Sequence, residues 1–560
     1  MDEEKELEPR SPTGEDLQDK SPATRNSTSP DPDESNDALN KEMEVPSKQN
    51  EARLAPTSEK DVQDPMKPDM SLPHEIAFVA VICMAQLLTQ TGLSMALSPL
   101  FIIGDSFGVH ADGDLSWFAA AYSLTVGTFI LPAGRLGDVY GHKKVFVLGW
   151  LCFSIFSLLA GFSVYVMPGT QGSKFFSVMR ALQGIGPAVL LPNAIALLGR
   201  TYQPGKRKNM VFSLFGATAP AGGTTGLVFS GLLAELAWWP WAFWILAIVT
   251  FLMAILSLLV VPRSDVDVDT ALTESHTTWK SLWAHLDANG TITGVIGLVL
   301  INIAWNQAPA VGWPTPYVYV LLIIGVLFMG VFFYIEHTAP HPLIPLRNIG
   351  RDVGFVLGCI AFGWSSFGIW FFYLLQMLLV LRHHTPLLSA AQFTPPILSG
   401  LCAAIVTGLL LHKVGPGVTM MISMVAFCTG NILLATMPVN QIYWAQTFVS
   451  LVITPWGMDM SFPSATIILS NSMPREHQGM AASLVTTVVN YSISLGLGFA
   501  GTVQSRILAN GGNTLDGFRS AWYVGIGMAG LGIVVAVAFN VVGVKEVGDR
   551  AKTEESDMSP

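Results

Sequence analysis

From Ile76 onward the chain alternates between long apolar runs and short polar connections. Each run is long enough to cross a hydrocarbon core about 30 Å thick at about 1.5 Å per residue, so each predicts a transmembrane helix. Fourteen occur, at 76–104, 115–133, 145–166, 175–198, 209–233, 241–261, 290–308, 316–335, 353–381, 391–411, 418–437, 442–470, 479–505 and 520–544. Residues 1–74 carry no periodic apolar face and are rich in Ser, Pro, Asp, Glu and Lys. They cannot bury enough surface to offset the entropy of ordering, so a disordered tail is expected there. The predicted fold class is an all-α polytopic membrane protein.

The apolar pattern also repeats. The fourth run contains GIGPAVLLPNAIALLG and is followed by a polar loop and a new helix at FSL; the twelfth contains PWGMDMSFPSATIILS, followed by another polar loop and ASL. Gly186 and Gly457 are 271 residues apart, as are Pro192 and Pro463, while Leu214 and Leu484 are 270 apart. Such spacing predicts two six-helix halves with two helices inserted between them, the layout of a transporter whose halves are related by an axis along the membrane normal. The expected domains are an acidic cytosolic tail (1–74), an N-terminal half (75–261), a cytosolic loop with two inserted helices (262–352), a C-terminal half (353–545) and a cytosolic tail (546–560).

Charge sharpens this picture. Of 560 residues 51% are hydrophobic and only 12% charged, against roughly 25% charged in soluble proteins. Residues 1–74 hold 9 basic and 19 acidic residues, a net of −10, so the rest is neutral, 21 against 21. Nucleic-acid binding, which needs a basic surface, is disfavoured. One set of connections collects sixteen basic residues, among them Arg135, Lys143, Lys144, Arg200, Lys206, Arg207, Lys208, Arg263, Lys280, Arg347, Arg351, Lys413 and Arg475; the other holds only Lys174, Arg382, Arg506 and Arg519. The positive-inside rule puts the first set in the cytosol, and an even number of spans puts both termini there. The sequons at Asn26 and Asn289 then face the cytosol and that at Asn490 lies within a span, so none should be glycosylated. Residues 1–70 contain no apolar core of signal-peptide length, so the first span is expected to serve as the targeting signal, and Ser11, Ser21 and Ser29 of the tail, each followed by proline, are candidate kinase sites. Cys83, Cys152, Cys359, Cys402 and Cys428 all lie in apolar runs without a CxxC pair, so neither a disulfide framework nor a metal site is expected, and no cofactor is implied.

Three stretches carry chemistry. After the second run comes GRLGDVYGHKK, Gly134 to Lys144. Gly134, Gly137 and Gly141 allow two helices to approach closely, and Asp138 can cap the next helix while pairing with a cation, locking a cytosolic gate. The loop resembles the signature of the major facilitator superfamily. Val139 and His142 stand where that family usually has arginine, so the resemblance leaves the ion-pair relay to Arg135 or Lys143, or weakens it. The fourth run contains RALQGIG, with Arg180 and Gln183 one turn apart and Arg180 about 8 Å inside the helix start. An intramembrane charge is a functional candidate, and in the drug:proton antiporters the motif's Arg, matched by Arg180, is associated with proton transfer; snorkelling to the outer interface is the other reading. The fifth run, GATAPAGGTTGLVFSGLL, resembles the antiporter signature through Gly216, Pro220, Gly222, Gly223 and Gly226, with Ala219 where the family has glycine.

Asp459 is the carboxylate placed near the bilayer midplane, flanked by Pro455, Gly457 and Pro463, whose loosened backbone suits a cavity wall. It is the candidate to bind and release a proton; a structural role capping a broken helix or bonded to Ser461 is the competing reading. Related antiporters often carry an Asp in the first span, where this chain has Thr89, Gln90 and Thr91. Gln86 and Gln90, four apart on one face, suit a neutral solute. Candidate cavity residues are these two with Gln183, Trp364, Phe367, Phe371 and Trp456.

The strings WSSFGIWFFYLLQ (364–376), DMSFPSATIILSNSMPREHQGMAASLVTTVVNYSISLGLGFAGTV (459–503) and AWWPWAFW (237–244) resemble the fungal fourteen-helix drug:proton antiporters, and within them the aminotriazole and boron resistance exporters. That resemblance implies proton-coupled efflux of a small organic molecule, a drug, toxin or secondary metabolite, across the plasma membrane, with the vacuolar membrane as second address. A transporter of borate or ammonium is the alternative, and a non-transporting receptor signalling through the tail a third reading. No P-loop, HExxH or Ser/His/Asp arrangement occurs, so neither an ATP-driven pump nor an enzyme is expected.

Overall fold

Fourteen long helices, counted among the described residues, match the fourteen apolar runs. The computed structural model describes residues 70–110, 112–167, 169–202, 206–262, 283, 286–339, 342–344, 350–471 and 478–557. The acidic tail with Ser11, Ser21, Ser29 and Asn26, and the basic residues Arg263, Lys280, Arg347 and Arg475, lie outside them.

In chain order the elements are α1 (Leu72–Ser94), α2 (Leu100–Ser106), α3 (Asp112–Tyr140), α4 (His142–Val166), α5 (Gly169–Thr201), α6 (Lys206–Leu236), α7 (Pro240–Val260), α8 (Ala288–Val311), α9 (Pro316–Thr338), α10 (Arg351–Gln376), α11 (Pro386–Gln392), α12 (Pro395–Ala435), α13 (Gln446–Asn471), α14 (Gln478–Ala509) and α15 (Thr514–Asp557). The α12 helix is two spans joined at Gly415, whose φ of 80° only glycine adopts readily, just ahead of Pro416. Twelve spans are apolar enough to be recognised as membrane-crossing by composition. The two others, α6 and α13, are diluted by the Gly, Ser, Thr and Pro that make them interesting, and α13 by Asp459.

Some expected boundaries are corrected. The first run, 76–104, is not one helix: α1 stops at Ser94 and α2 starts after Pro99, which has no N–H to continue the ladder. Gly134–Tyr140 is not a loop but the last two turns of α3, and Gly141, at φ 91°, is the single residue joining α3 to α4. Past the last predicted span, residues 546–557 continue α15.

Helix pairing follows the sequence repeat. Within the first six long helices α1 packs on α6, α4 on α7, and α3 and α4 on α5; within the last six α10 packs on α14, α12 on α15, and α12 on α13. Across the molecule α3 meets α14 and α6 meets α12, two contacts that the same internal symmetry interchanges. The inserted pair α8 and α9 form a hairpin, and α8 lies along the α3–α14 seam, touching both halves. Small residues permit these approaches: a methyl group on Gly222 or Gly226 of α6 would collide with the Leu87 or Thr91 carbonyl of α1.

Candidate functional site

At the end carrying the basic connections the helices close on one another. His142, buried at the start of α4, places Nδ1 2.7 Å from Asn193 Oδ1 on α5, and a side chain at Gly137 would overlap that same amide. Asp138, in the last turns of α3, lies 3.7 Å from Arg200 of α5 and 3.4 Å from His142. The cation that meets Asp138 is therefore Arg200, a residue the loop motif does not contain. Lys143 instead donates to the Leu258 and Val261 carbonyls at the end of α7, where a cation complements the helix terminus. Nor does Asp138 cap α4; the N-cap position belongs to Gly141. Gly134 faces Ser483 of α14, 3.3 Å from where a methyl would stand, so the motif glycines bring α3 against the other half as well as against α5. A neighbouring cluster joins Glu75 of α1 to Tyr202 at 2.8 Å and to Arg207 of α6. Burial, reinforced by the bond to Glu75, raises the Tyr202 phenol well above its ordinary range and keeps it a donor.

If Asp138 and Arg200 hold this end closed, Asp138→Asn impairs transport while leaving surface abundance unchanged, with a loss of roughly tenfold or less because the pair is half-exposed. Vesicle flux with surface biotinylation checks this, and normal flux at normal abundance rejects the role.

Halfway along, Arg180 is fully buried. Its Nε donates to the Phe118 carbonyl at 2.8 Å, one terminal nitrogen reaches the Leu93 carbonyl at 3.4 Å, and the other bonds Gln183. Gln183 passes its own Nε2 to Ser157 at 2.7 Å, and the Tyr122 ring lies 4.6 Å from the guanidinium. Arg180 thus does not snorkel to an interface; it ties α1, α3, α4 and α5 together.

Beyond mid-depth, towards the end remote from Gly141, residues of both halves surround a cavity of about 680 Å³. Gln90, Trp364, Phe367 and Phe371 line it, together with Trp370, Tyr373, Phe393 and Phe518. No Asp, Glu, Lys, Arg or His is among its described lining residues; the polar contributions are amides and hydroxyls, among them Asn306, Gln307, Gln376 and Gln504. Three expected residues do not line it. Gln86 sits one turn nearer the closed end, Gln183 is spent on Arg180 and Ser157, and Trp456 points about 100° away from Pro455, which with Met458 presents α13 to the cavity. Of the α6 signature, Pro220 and Gly223 line the cavity, while Gly222 and Gly226 serve contact with α1 and a methyl on Gly216 would meet no described residue.

Asp459 lies just behind this wall, 8% exposed. Its Oδ2 has no hydrogen-bond partner among the described residues. A methyl at Gly400 of α12 would stand 3.0 Å from that oxygen and 2.9 Å from Pro220 of α6, so the carboxylate sits where the two halves meet. Ser461 does not hold it: its hydroxyl donates to the Met458 carbonyl and accepts from Trp364.

Sequence reasoning did not single out Arg200, Asn306, Gln307 or the short helix α11. That helix bridges the halves beside the cavity, with Ser98 donating to the Pro386 carbonyl at 3.0 Å, Thr224 to Phe393 at 3.0 Å, and the Leu387 amide to Glu235 at 2.6 Å.

Comparison with known proteins completes the description. A family described as Major Facilitator Superfamily matches residues 81–497. A low affinity ammonium transporter of Saccharomyces cerevisiae is 57% identical over 482 residues, 86% of this chain and 91% of that protein. The efflux pump terJ of Aspergillus terreus is 50% identical over 85% of this chain and 89% of its own length. The aminotriazole resistance protein of S. cerevisiae is 39% identical over 84% of each.

Proposed function

We propose, for a chain that belongs to the major facilitator superfamily and resembles its fungal efflux pumps, proton-coupled export of a neutral, largely aromatic organic molecule. The observation that carries this reading is the cavity: about 680 Å³, walled by aromatic rings and amides, with no charged group among its described lining residues. That volume is in the range of sites for drug-sized ligands. A small inorganic ion would need neither so much room nor so many rings, and a charged solute would find no countercharge. Contact of the halves at the basic end, with the cavity lying beyond it, favours a state that exchanges solute with the side opposite the basic loops. With those loops cytosolic by the positive-inside rule, the cavity faces outward and the plasma membrane is the natural address. Protons supply the driving force, with Asp459 as their carrier.

Movement of ammonium, or of another small solute such as borate, is the second reading, favoured by the 57% identity to a protein named as an ammonium transporter. One comparison separates the two. Cells with and without the protein are compared for secreted metabolites and for methylammonium uptake, with and without a protonophore. Export predicts an aromatic metabolite that disappears from the medium when the gene is deleted or the proton gradient collapses. Protein-dependent methylammonium uptake with an unchanged metabolite profile moves the assignment to the second reading.

A further inference from the structure

Building on export of neutral aromatic solutes, we infer that α8, the first of the two inserted helices, is the wall that reads the substrate's hydrogen-bonding groups, with Asn306 supplying an acceptor and Gln307 a donor. The insertion is not an accessory on the lipid side. It packs on α14 from Leu298, whose carbonyl accepts from Tyr491 at 3.0 Å, to Pro309, against which Gly501 is packed. Trp305 lies across Gly498, and its ring meets Phe499 at 4.3 Å.

Buried amides are informative only when their orientation is fixed, and here the partners fix it. Asn306 Nδ2 lies 3.0 Å from the Asn302 backbone carbonyl, which can only accept, and 2.9 Å from Asn302 Oδ1. It also meets Ser494 Oγ at 3.1 Å, and that hydroxyl donates in turn to Asn302 Oδ1 at 3.0 Å. The NH₂ group of Asn306 is therefore committed to the α8–α14 contact, and its Oδ1 is the polar atom left for the cavity it lines. On the next residue the logic inverts. Trp117 of α3 donates its indole N–H, which can do nothing else, to Gln307 Oε1 at 2.8 Å. That leaves the Gln307 Nε2 donor. Adjacent positions on one helix thus offer opposite polarity to a solute, anchored respectively to the C-terminal and the N-terminal half. The matching ligand is a neutral planar ring system carrying a donor at one edge and an acceptor at another, with aromatic faces for Trp364, Phe367 and Phe371 to cover.

The test uses the purified full-length protein and two fluorescent probes, 7-amino-4-methylcoumarin, which has a ring donor and a lactone acceptor, and 4-methylcoumarin, which has the acceptor alone. Affinities are measured by quenching of tryptophan emission. Wild-type protein should prefer the amino probe roughly tenfold, the worth of one desolvated neutral hydrogen bond. Asn306→Leu should erase that preference while binding 4-methylcoumarin within twofold of wild type. Gln307→Leu should weaken both probes roughly tenfold and leave their ratio intact. A merely structural role predicts instead parallel losses in both variants, and that outcome, like an unchanged preference in Asn306→Leu, overturns the inference while leaving export untouched. Should Asn306→Leu fail to accumulate, Gln307→Leu decides with a third probe, 2-aminonaphthalene, which keeps a ring donor and lacks the lactone acceptor: its affinity should stay within twofold of wild type while both coumarins weaken, and an equal loss of all three overturns the inference. Failure of the wild-type protein to bind either probe overturns the neutral aromatic substrate class, and with it the export reading beneath.

Discussion

Asp459→Asn abolishes accumulation driven by a pH gradient in inside-out vesicles, yet substrate still equilibrates down its own gradient. The reason is the cradle around the carboxylate. Asp459 is buried beside Gly400 of α12, with Pro220 of α6 packed close to that same glycine, and its Oδ2 has no partner among the described residues. An unpaired ion in such a place costs several kcal/mol more than a neutral group, so moving the residue between this packed position and a wetter one changes its affinity for a proton. Because the cradle is made from both halves, any motion that parts α6 from α12 rehydrates the carboxylate. Proton binding and the position of the halves are then one linked equilibrium. Asparagine keeps the shape and removes the proton, which leaves the motion and uncouples it. The wild-type protein should show both accumulation and equilibration. Normal accumulation by the Asn variant at equal protein abundance would assign the proton to another group or make the protein a facilitator.

How much of this was legible in the sequence varies with the physics involved. Span number and the two-half layout rest on hydropathy and on the repeated Gly/Pro spacing, and both survive even in α6 and α13, whose small and polar residues dilute the apolar signal. The glycine-rich α6 was legible as a packing surface because a missing side chain has consequences wherever the helix lies. Ion-pair partners were not legible, since Asp138 finds Arg200 sixty-two positions later through tertiary packing, while the nearer Lys143 is drawn to the end of α7. Cavity membership was harder still. Trp456 and Pro455 are neighbours in sequence and face different ways, and Gln86 and Gln90 share a helix face, yet of the two it is Gln90 that lines the cavity. A signal for α8 did exist: Asn302 and Asn306 are four apart with Gln307 beside them in an otherwise apolar span, a polar stripe that lipid would not tolerate.

Arg180→Ala eliminates active transport, and Arg180→Lys keeps part of it. The guanidinium bonds Phe118 and Leu93, and Leu93 itself lines the cavity, as does Ala119 beside Phe118. Arg180 therefore stands one residue behind the wall and fixes α1 and α3 against α5. No carboxylate pairs with it among the described residues; its charge is met by carbonyl dipoles, the Gln183 amide and the Tyr122 face. Alanine leaves two carbonyls and the Gln183 oxygen with fewer donors in a dry site, a loss of roughly 2 to 5 kcal/mol in stability, so thermal unfolding in detergent should begin several degrees lower. Lysine retains the charge, but one ammonium cannot reproduce a planar fork that reaches three helices at once. A second variant separates positioning from charge. Gln183→Leu leaves the guanidinium and its two carbonyl partners in place, so transport should fall less than in Arg180→Lys even where the thermal shift is similar. Full transport by Arg180→Ala at normal abundance would show that the cavity wall holds its shape without this tie.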